Sequence, residues 1–190
     1  MSNTQPVRQR ILDAALELAQ TVGIQGLSQA RVAARAGLRQ SHLTYYFPVR
    51  TDLIKATLSA IHAQIMEEAH SLPNSNSDPE RLREADLRHF FTSQVRNSAR
   101  TRLLLSAMHA SQQEPELRRW FAQFHKDLLS TLGEILARAS ISAAEEEREL
   151  FHVCMIGASL QALHIGTEEA KDRASRIVGK GFDKLLAAAD

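Results

Sequence analysis

Apolar side chains along this chain recur at steps of three and four residues almost from end to end, and no stretch shows the sustained alternation of a half-buried strand. The first helix is expected from Val7 to about Thr21, where Ile11, Leu12, Ala15, Leu18, Ala19 and Val22 recur on one face and Gly23 and Gly26 stop it. A short second helix begins after Ser28, whose hydroxyl can cap it, and ends before Gly37. A third covers roughly Arg39 to Phe47, because Pro48 forbids continuation. A fourth spans about Thr51 to Ser71, and the polar run from Leu72 to Asp78 is a loop.

Helical punctuation continues beyond that loop. Asp78 and Pro79 form an N-cap followed by proline at the first helical position, opening a helix to about Asn97. Arg100 to Gln112 is the next, and Glu114-Pro115 opens a longer one to about Ala139. Ser142-Ala143-Ala144-Glu145 reads as a capping box for a helix to about Ile165, and Thr167 starts the last, which ends near Ala188. About nine helices and no sheet make the expected class all-α: an N-terminal three-helix head over residues 1–50 and a helical body over 51–190.

The segment from Leu27 to Phe47 carries the most specific chemistry. Two short helices joined by a tight turn must cross closely, which demands a small residue at the contact and one tolerant of positive φ in the turn. Ala33 and Gly37 meet those demands. On the third helix Leu43 and Phe47 lie one turn apart and face inward with Leu38. At about 100° per residue Ser41 and Tyr45 then point outward, flanked by His42 and Thr44. Short or hydrogen-bonding side chains on an exposed helix suit entry into a major groove and contact with base edges. Tyr46 lies nearer the inner side and can equally be a packing residue, whereas a phenolic hydroxyl at Tyr45 suits a phosphate.

Charge sharpens that picture. The chain as a whole carries only +1, but residues 1–55 hold seven Lys or Arg against three acids, a net +4, and the remainder sixteen against nineteen, a net −3. A basic end on an acidic body suits a nucleic-acid-binding module joined to something that should not stick to DNA; chance asymmetry is the alternative. With 44% hydrophobic and 24% charged residues the composition is that of a soluble globular protein. One cysteine allows no intrachain disulfide, and a cytoplasmic setting is expected. The polar N-terminus lacks an apolar core for a signal peptide, and the longest apolar stretch, Val153 to Ile165, is broken by Gly157, Ser159, Gln161 and His164, so no membrane partner is expected.

Residues 8–55 resemble the N-terminal region of the TetR-type repressors. The resemblance rests on Ile11-Leu12-Asp13-Ala14-Ala15, Gly23, Ser28, Val32-Ala33-Ala34-Arg35-Ala36-Gly37-Leu38, Leu43-Thr44-Tyr45-Tyr46-Phe47, and Arg50 with Leu53. It implies a ligand-responsive regulator that binds double-stranded operator DNA, a repressor in the usual case; an activator, or a helical adaptor that binds no DNA, is the alternative. By position it implies that Ser28 and Gln29 contact the DNA backbone, that Gln40, Ser41 and His42 read bases, that Thr44, Tyr45 and Tyr46 meet phosphates, and that Arg50 binds another. Two departures stand out: Arg39 replaces a serine-like N-cap and is free to reach a phosphate or a guanine edge, and Thr44 replaces a usual tyrosine.

The final helix carries an apolar stripe through Ala170, Ala174, Ile177, Val178, Gly181, Phe182 and Leu185, and the one before it is apolar around much of its girth from Leu150 to Ile165. A helix apolar on more than one face must be covered on more than one side, which suits a homodimer through these two helices; a monomer core is the alternative. Such a dimer would present two recognition helices about 34–36 Å apart, or somewhat more, to a palindrome. For the effector, His89, Phe90, Met108, Trp120, Phe121, Phe124, His125, Met155 and Ser159 are the candidates to line an apolar cavity with a few polar handles, ordinary core packing being the alternative for each. The histidines show no paired spacing for a metal, His152 and Cys154 diverge on their helix, and no glycine-rich phosphate loop exists, so neither cofactor nor enzymatic activity is expected.

Overall fold

A computed structural model describes residues 6–72 and 83–189. Among them the chain forms α1 (Val7–Val22), a 3-10 turn (Ile24–Gly26), α2 (Gln29–Arg35), α3 (Gln40–Tyr46), α4 (Arg50–His70), α5 (Glu84–Gln94), α6 (Ser98–Gln113), α7 (Pro115–Ala137), α8 (Glu145–Ile165) and α9 (Glu168–Ala189), with no strand. The fold is all-α. The expected start of a helix at Asp78-Pro79 lies outside the described residues. These divide into two compact units: the first takes the chain up to Met66 together with Arg102–Phe121, the second Glu67 to Thr101 together with Ala122 onward.

In the first unit α1 buries Ile11, Leu12, Ala14, Ala15, Leu16 and Ala19. They meet Ile24 and Leu27, Val32 and Ala33 of α2, Leu43 of α3, Phe47, Leu53, Ile54 and Leu58 of α4, and Leu103, Ala107 and Leu117 from the returning segment. Val22, expected on this face, is instead exposed. It is the last residue of α1, and its side chain lies over Gly26, so closely that an added Cβ there would run into Val22 Cγ2. The Ile24 N–H donates to Ser106 Oγ at 3.0 Å, fixing the turn to α6.

The second unit is built around α9, packed on α8 and α5. Ala170, Ala174, Val178, Phe182 and Leu185 face inward at helical spacing. Phe91 is the hub: its ring centroid lies 5.1 Å from that of Phe151 on α8 and 5.6 Å from that of Phe182 on α9. Arg88 of α5 donates to the Gly179 carbonyl at 3.0 Å and lies over the Phe182 ring. Glu68 pairs with Arg100, whose guanidinium holds its carboxyl below the ordinary value.

Two helix ends have a common design with different chemistry. At the end of α2 the Leu38 N–H reaches back to Ala33 O at 2.9 Å and the Gly37 N–H to Ala34 O, while Gly37 takes φ +67°. At the end of α7 the Ile141 N–H reaches Leu136 O at 3.0 Å and the Ser140 N–H Ala137 O. Here the left-handed position is held by Ser140, at φ 60°. Both are paired reverse bonds that satisfy orphan carbonyls, and the second does so with a residue whose Cβ disfavours the conformation. The α8 start also differs from expectation. Its N-cap is Ala144, not Ser142, and the helix end is closed from the other direction, by Glu147 accepting the Ala144 N–H at 2.7 Å.

Between α7 and α8 the His125 and His152 rings lie 5.2 Å apart, with Glu149 Oε1 3.8 Å from His125 Nε2. Burial first, and then the neighbouring His125 imidazole, pushes His152 down to about 4 from 6.5. Because the unfolded chain takes up this proton more readily than the folded one, stability is fully present above pH 6.5 and drains away as pH falls toward 4. Denaturant titrations across that window should show a loss of up to about 3 kcal/mol in wild type and a flatter profile in His152→Leu. Equal slopes in the two proteins would remove His152 as the cause.

Candidate nucleic-acid interface

The recognition surface is defined by what α3 hides. Of its seven residues only Leu43 is buried, and Phe47, at the C-cap, follows it into the same core. Gln40, Ser41, His42, Thr44, Tyr45 and Tyr46 all lie in solvent, Tyr45 80% and Tyr46 40% exposed. The tyrosine rings meet edge to face with centroids 5.1 Å apart, so each limits the other's swing. Among the described residues, the side chains of Arg39, Gln40, Ser41 and His42 have no intramolecular hydrogen-bond partner, nor have the two tyrosine hydroxyls. Six hydrogen-bonding groups thus share one short helix and its cap, all directed at water.

Around this face other polar groups are spent on construction. Ser28 Oγ accepts the Arg31 N–H at 3.2 Å and caps α2. Gln29 Nε2 donates to Phe47 O at 2.7 Å and to Pro48 O at 3.0 Å, binding the start of α2 to the end of α3. Thr44 Oγ1 donates back to Gln40 O at 3.0 Å. Arg39 sits at the α3 N-cap in extended backbone and makes no side-chain capping bond, leaving its guanidinium at liberty.

Arg50 meets an arrangement that its sequence position does not reveal. Its Nε donates to Leu27 O and its Nη2 to Ile24 O, both at 2.9 Å, and Nη1 lies 3.3 Å from Glu114 Oε1. Thr51 Oγ1 donates to the other oxygen of Glu114 at 3.0 Å, and Lys55 pairs with Glu116. The N-terminal turns of α4 are therefore fastened to the α6–α7 corner through two carboxylates and to the 3-10 turn through two carbonyls. Arg35 is likewise engaged, by Glu17, and Arg10 Nη2 donates to Ala36 O at 2.8 Å. Sequence reasoning passed over two cations with no carboxylate partner: Arg31, exposed in the first turn of α2, and Arg8, which lies 5.5 Å above the Phe47 ring. The only signal for them was the net +4 of this region.

The structure distributes the expected effector residues over both units. Trp120 and Phe121 pack against the core of the first, where Met108 of α6 also lies, 46% exposed. In the second, Phe90 is buried against Phe91, Phe124 is buried, His125 faces His152, Ser159 Oγ donates to Met155 O and His89 is exposed. No group of three His, Cys, Asp or Glu among the described residues is arranged to hold a metal, and no helix among them is long and apolar enough to cross a membrane.

A short helix held by its apolar edge beside a glycine turn, with an outer face of unpaired donors and acceptors, is a helix-turn-helix DNA-binding head. A family model described as "Bacterial regulatory proteins, tetR family" matches residues 11–57. The HTH-type transcriptional regulator BetI of Escherichia coli is 30% identical over 149 residues, covering 75% of this chain and 69% of its own. A transcriptional regulator from Rhodococcus sp. Rha1 shares the fold with a TM-score of 0.76 at 16% identity, over 96% of this chain and 97% of its own. The multidrug binding protein EbrR in complex with ethidium superposes with a TM-score of 0.69 at 24% identity, over 95% of this chain and 99% of its own. The chain belongs to the tetR family and is a DNA-binding transcriptional regulator.

The Arg50 contacts generate a stability test. Arg50→Ala should lower the unfolding free energy by about 1–3 kcal/mol, since two carbonyls and a carboxylate lose a charged donor. Arg50→Lys should recover little of it, because a point ammonium cannot span both carbonyls as a planar fork does. Full recovery by lysine in chemical denaturation would show that charge alone matters.

Proposed function

We propose that this protein is a repressor that holds a palindromic operator as a homodimer and releases it when a small molecule occupies the helical body. The observation that carries the reading is the outer face of α3, with Arg39, Gln40, Ser41, His42, Tyr45 and Tyr46 exposed and unsatisfied. Such a set is costly to leave dry and suited to base edges and phosphates. Residues 1–50 are the proposed reading head and 51–190 the effector-binding and dimerising body, within a bacterial cytoplasm. Binding, without turnover, is the proposed chemistry.

Roles follow from what each side chain has left to offer. Gln40, Ser41 and His42 read bases; Tyr45 and Tyr46 meet phosphates through their hydroxyls; Arg39 reaches a phosphate or a guanine edge. Ser28 and Gln29 stand where the backbone passes the start of α2, Ser28 as the cap and Gln29 with its Oε1 still unused. Thr44, its hydroxyl turned back on Gln40, offers a phosphate nothing, and Arg50 serves as a positioning residue for the head.

Dimerisation is supported by the outer side of α8. Leu150 is 70% and Val153 56% exposed, and Gly157, one turn further on the same face, has nothing within 4 Å of where a Cβ would stand. Ile177 of α9 is exposed as well, although its neighbour Val178 is fully buried. Large aliphatic groups in a row on one helix face favour a partner helix over water. Response to a ligand is supported by the likeness to EbrR, a multidrug binding protein whose structure holds ethidium. Within the second unit, His89, Phe90, Phe124, His125, Met155 and Ser159 remain the proposed ligand contacts.

Titration against a palindrome-bearing fragment of its own upstream DNA at several salt concentrations tests the reading. Wild type should bind with a steep salt dependence, about 0.9 in logarithmic slope for each phosphate neutralised. Arg39→Ala should reduce that slope or relax specificity at one base pair per half-site, at a cost of about 1–3 kcal/mol, and Gln40→Ala or His42→Ala should change sequence preference. Arg50→Ala should weaken binding while leaving the slope unchanged. Affinity indifferent to salt and to all of these changes would refute DNA recognition by α3. For the dimer, Leu150→Glu with Val153→Glu should yield a folded monomer by sedimentation, and a persistent dimer would move the interface elsewhere.

A further inference from the structure

α8 and α9 are joined only by Gly166 and Thr167 and so run antiparallel, side by side. Their register is fixed where Gly181 meets α8, since a Cβ there would stand 3.3 Å from Cys154 Sγ and 3.4 Å from the Phe151 ring. One side of this hairpin is covered within the chain. Arg88 of α5 donates to Gly179 O, Ser175 Oγ donates to Thr92 O of α5, and His125 of α7 lies beside His152. At about 100° per residue the opposite side presents Glu146, Leu150, Val153, Gly157 and Gln161 of α8 next to Arg173, Ile177, Lys180 and Lys184 of α9. All of them are exposed.

The two helices differ in charge on that side. Arg173, Lys180 and Lys184, flanked by Arg176, have no carboxylate partner among the described residues. Glu146 and Glu149 form an exposed acidic edge at the start of α8, with aliphatic groups beyond it. A two-fold axis can stack a second hairpin here in two ways. An axis across the helices lays each helix on its own copy and sets Arg173, Lys180 and Lys184 against their own images. An axis along the helices lays α8 over α9 of the second copy and keeps their antiparallel sense, so the internal register carries over.

That second stacking matches shape as well as charge. At about 1.5 Å per residue from the Gly181 contact, Gly157 comes level with Ile177, and Glu149 with Lys184. Gly157 has nothing within 4 Å of where a Cβ would stand, and Ile177 is 39% exposed although Val178 beside it is fully buried. A gap on α8 thus faces a projecting side chain on α9, and the acidic edge faces the cationic one.

We propose that this surface accepts a second copy of the chain in one register only, α8 on α9. Ile177 of each copy seats at Gly157 of the other, and Glu146 and Glu149 of each face Lys180 and Lys184 of the other. The assignment rests on the homodimer reading above and adds what selects the partner: the α9 cations forbid the self-paired stacking and turn away a related chain without the acidic edge.

Disulfide capture in the full-length chain carrying Cys154→Ala tests the register. Gly157→Cys and Ile177→Cys proteins, mixed and oxidised, should form a cross-linked dimer, while neither should cross-link alone. A cross-link in Gly157→Cys alone, or a dimer that the mixture fails to cross-link, would overturn the register and leave the homodimer standing. A monomer in sedimentation would overturn both. Charge gives an independent reading. Reversal of the acidic edge (Glu146→Lys with Glu149→Lys) or of the cationic one (Lys180→Glu with Lys184→Glu) should each weaken dimerisation by about tenfold or more, and mixing the two proteins should restore it through a heterodimer. Self-paired helices would keep like charges opposed whatever their sign, so unchanged dimerisation in both reversed proteins would overturn the proposal.

Discussion

Burial of Leu43 is the constraint on which the reading surface depends. A seven-residue helix has too few hydrogen bonds to stand alone in water, so α3 exists because its apolar edge is held. With Leu43 fully buried and Phe47 nearly so, the rotation of the helix about its axis is fixed. The same anchor that makes it a helix decides which side chains look outward. Its height is set by neighbouring bonds: Gln29 clamps the carbonyls of Phe47 and Pro48 at one end, and the Gly37 turn fixes the approach at the other.

The head was legible because its constraints are local. Gly37 between two short apolar repeats, Ser28 before the first and Pro48 after the second specify turn, cap and stop within about twenty residues, and the structure follows them closely. What escaped were contacts between residues distant in sequence. Arg50 looked like a free cation at the start of a helix, but its partners include Glu114, sixty-four positions away, and two backbone carbonyls that no side-chain pattern advertises. The α8 cap shows the same limit at short range. A serine three residues before a glutamate matched the pattern, but another glutamate two residues on closed the helix on an alanine.

Charge counting gave the sign of the head and overstated its freedom. Arg35, Arg50 and Lys55 are matched by carboxylates within the first unit. The pairs are partly exposed, and such pairs add little to stability on their own. Their effect here is chiefly geometric, as they fasten α4 to the α6–α7 corner and α2 to α1. Aromatic packing plays the corresponding part in the second unit, where Phe91, Phe151 and Phe182 tie α5, α8 and α9 together and Arg88 of α5 adds a hydrogen bond to Gly179 and an ion pair with Asp183.

The hydrogen bond from Thr44 to the carbonyl of Gln40 bears on the operator itself. With its oxygen engaged, this exposed side chain turns a methyl group toward whatever lies opposite. The natural complement in a major groove is another methyl, the one that distinguishes thymine from cytosine and from uracil. On the proposed palindrome, one position in each half would then be chosen by apolar contact alone, and DNA synthesised with deoxyuridine there would lose affinity without losing a single hydrogen bond.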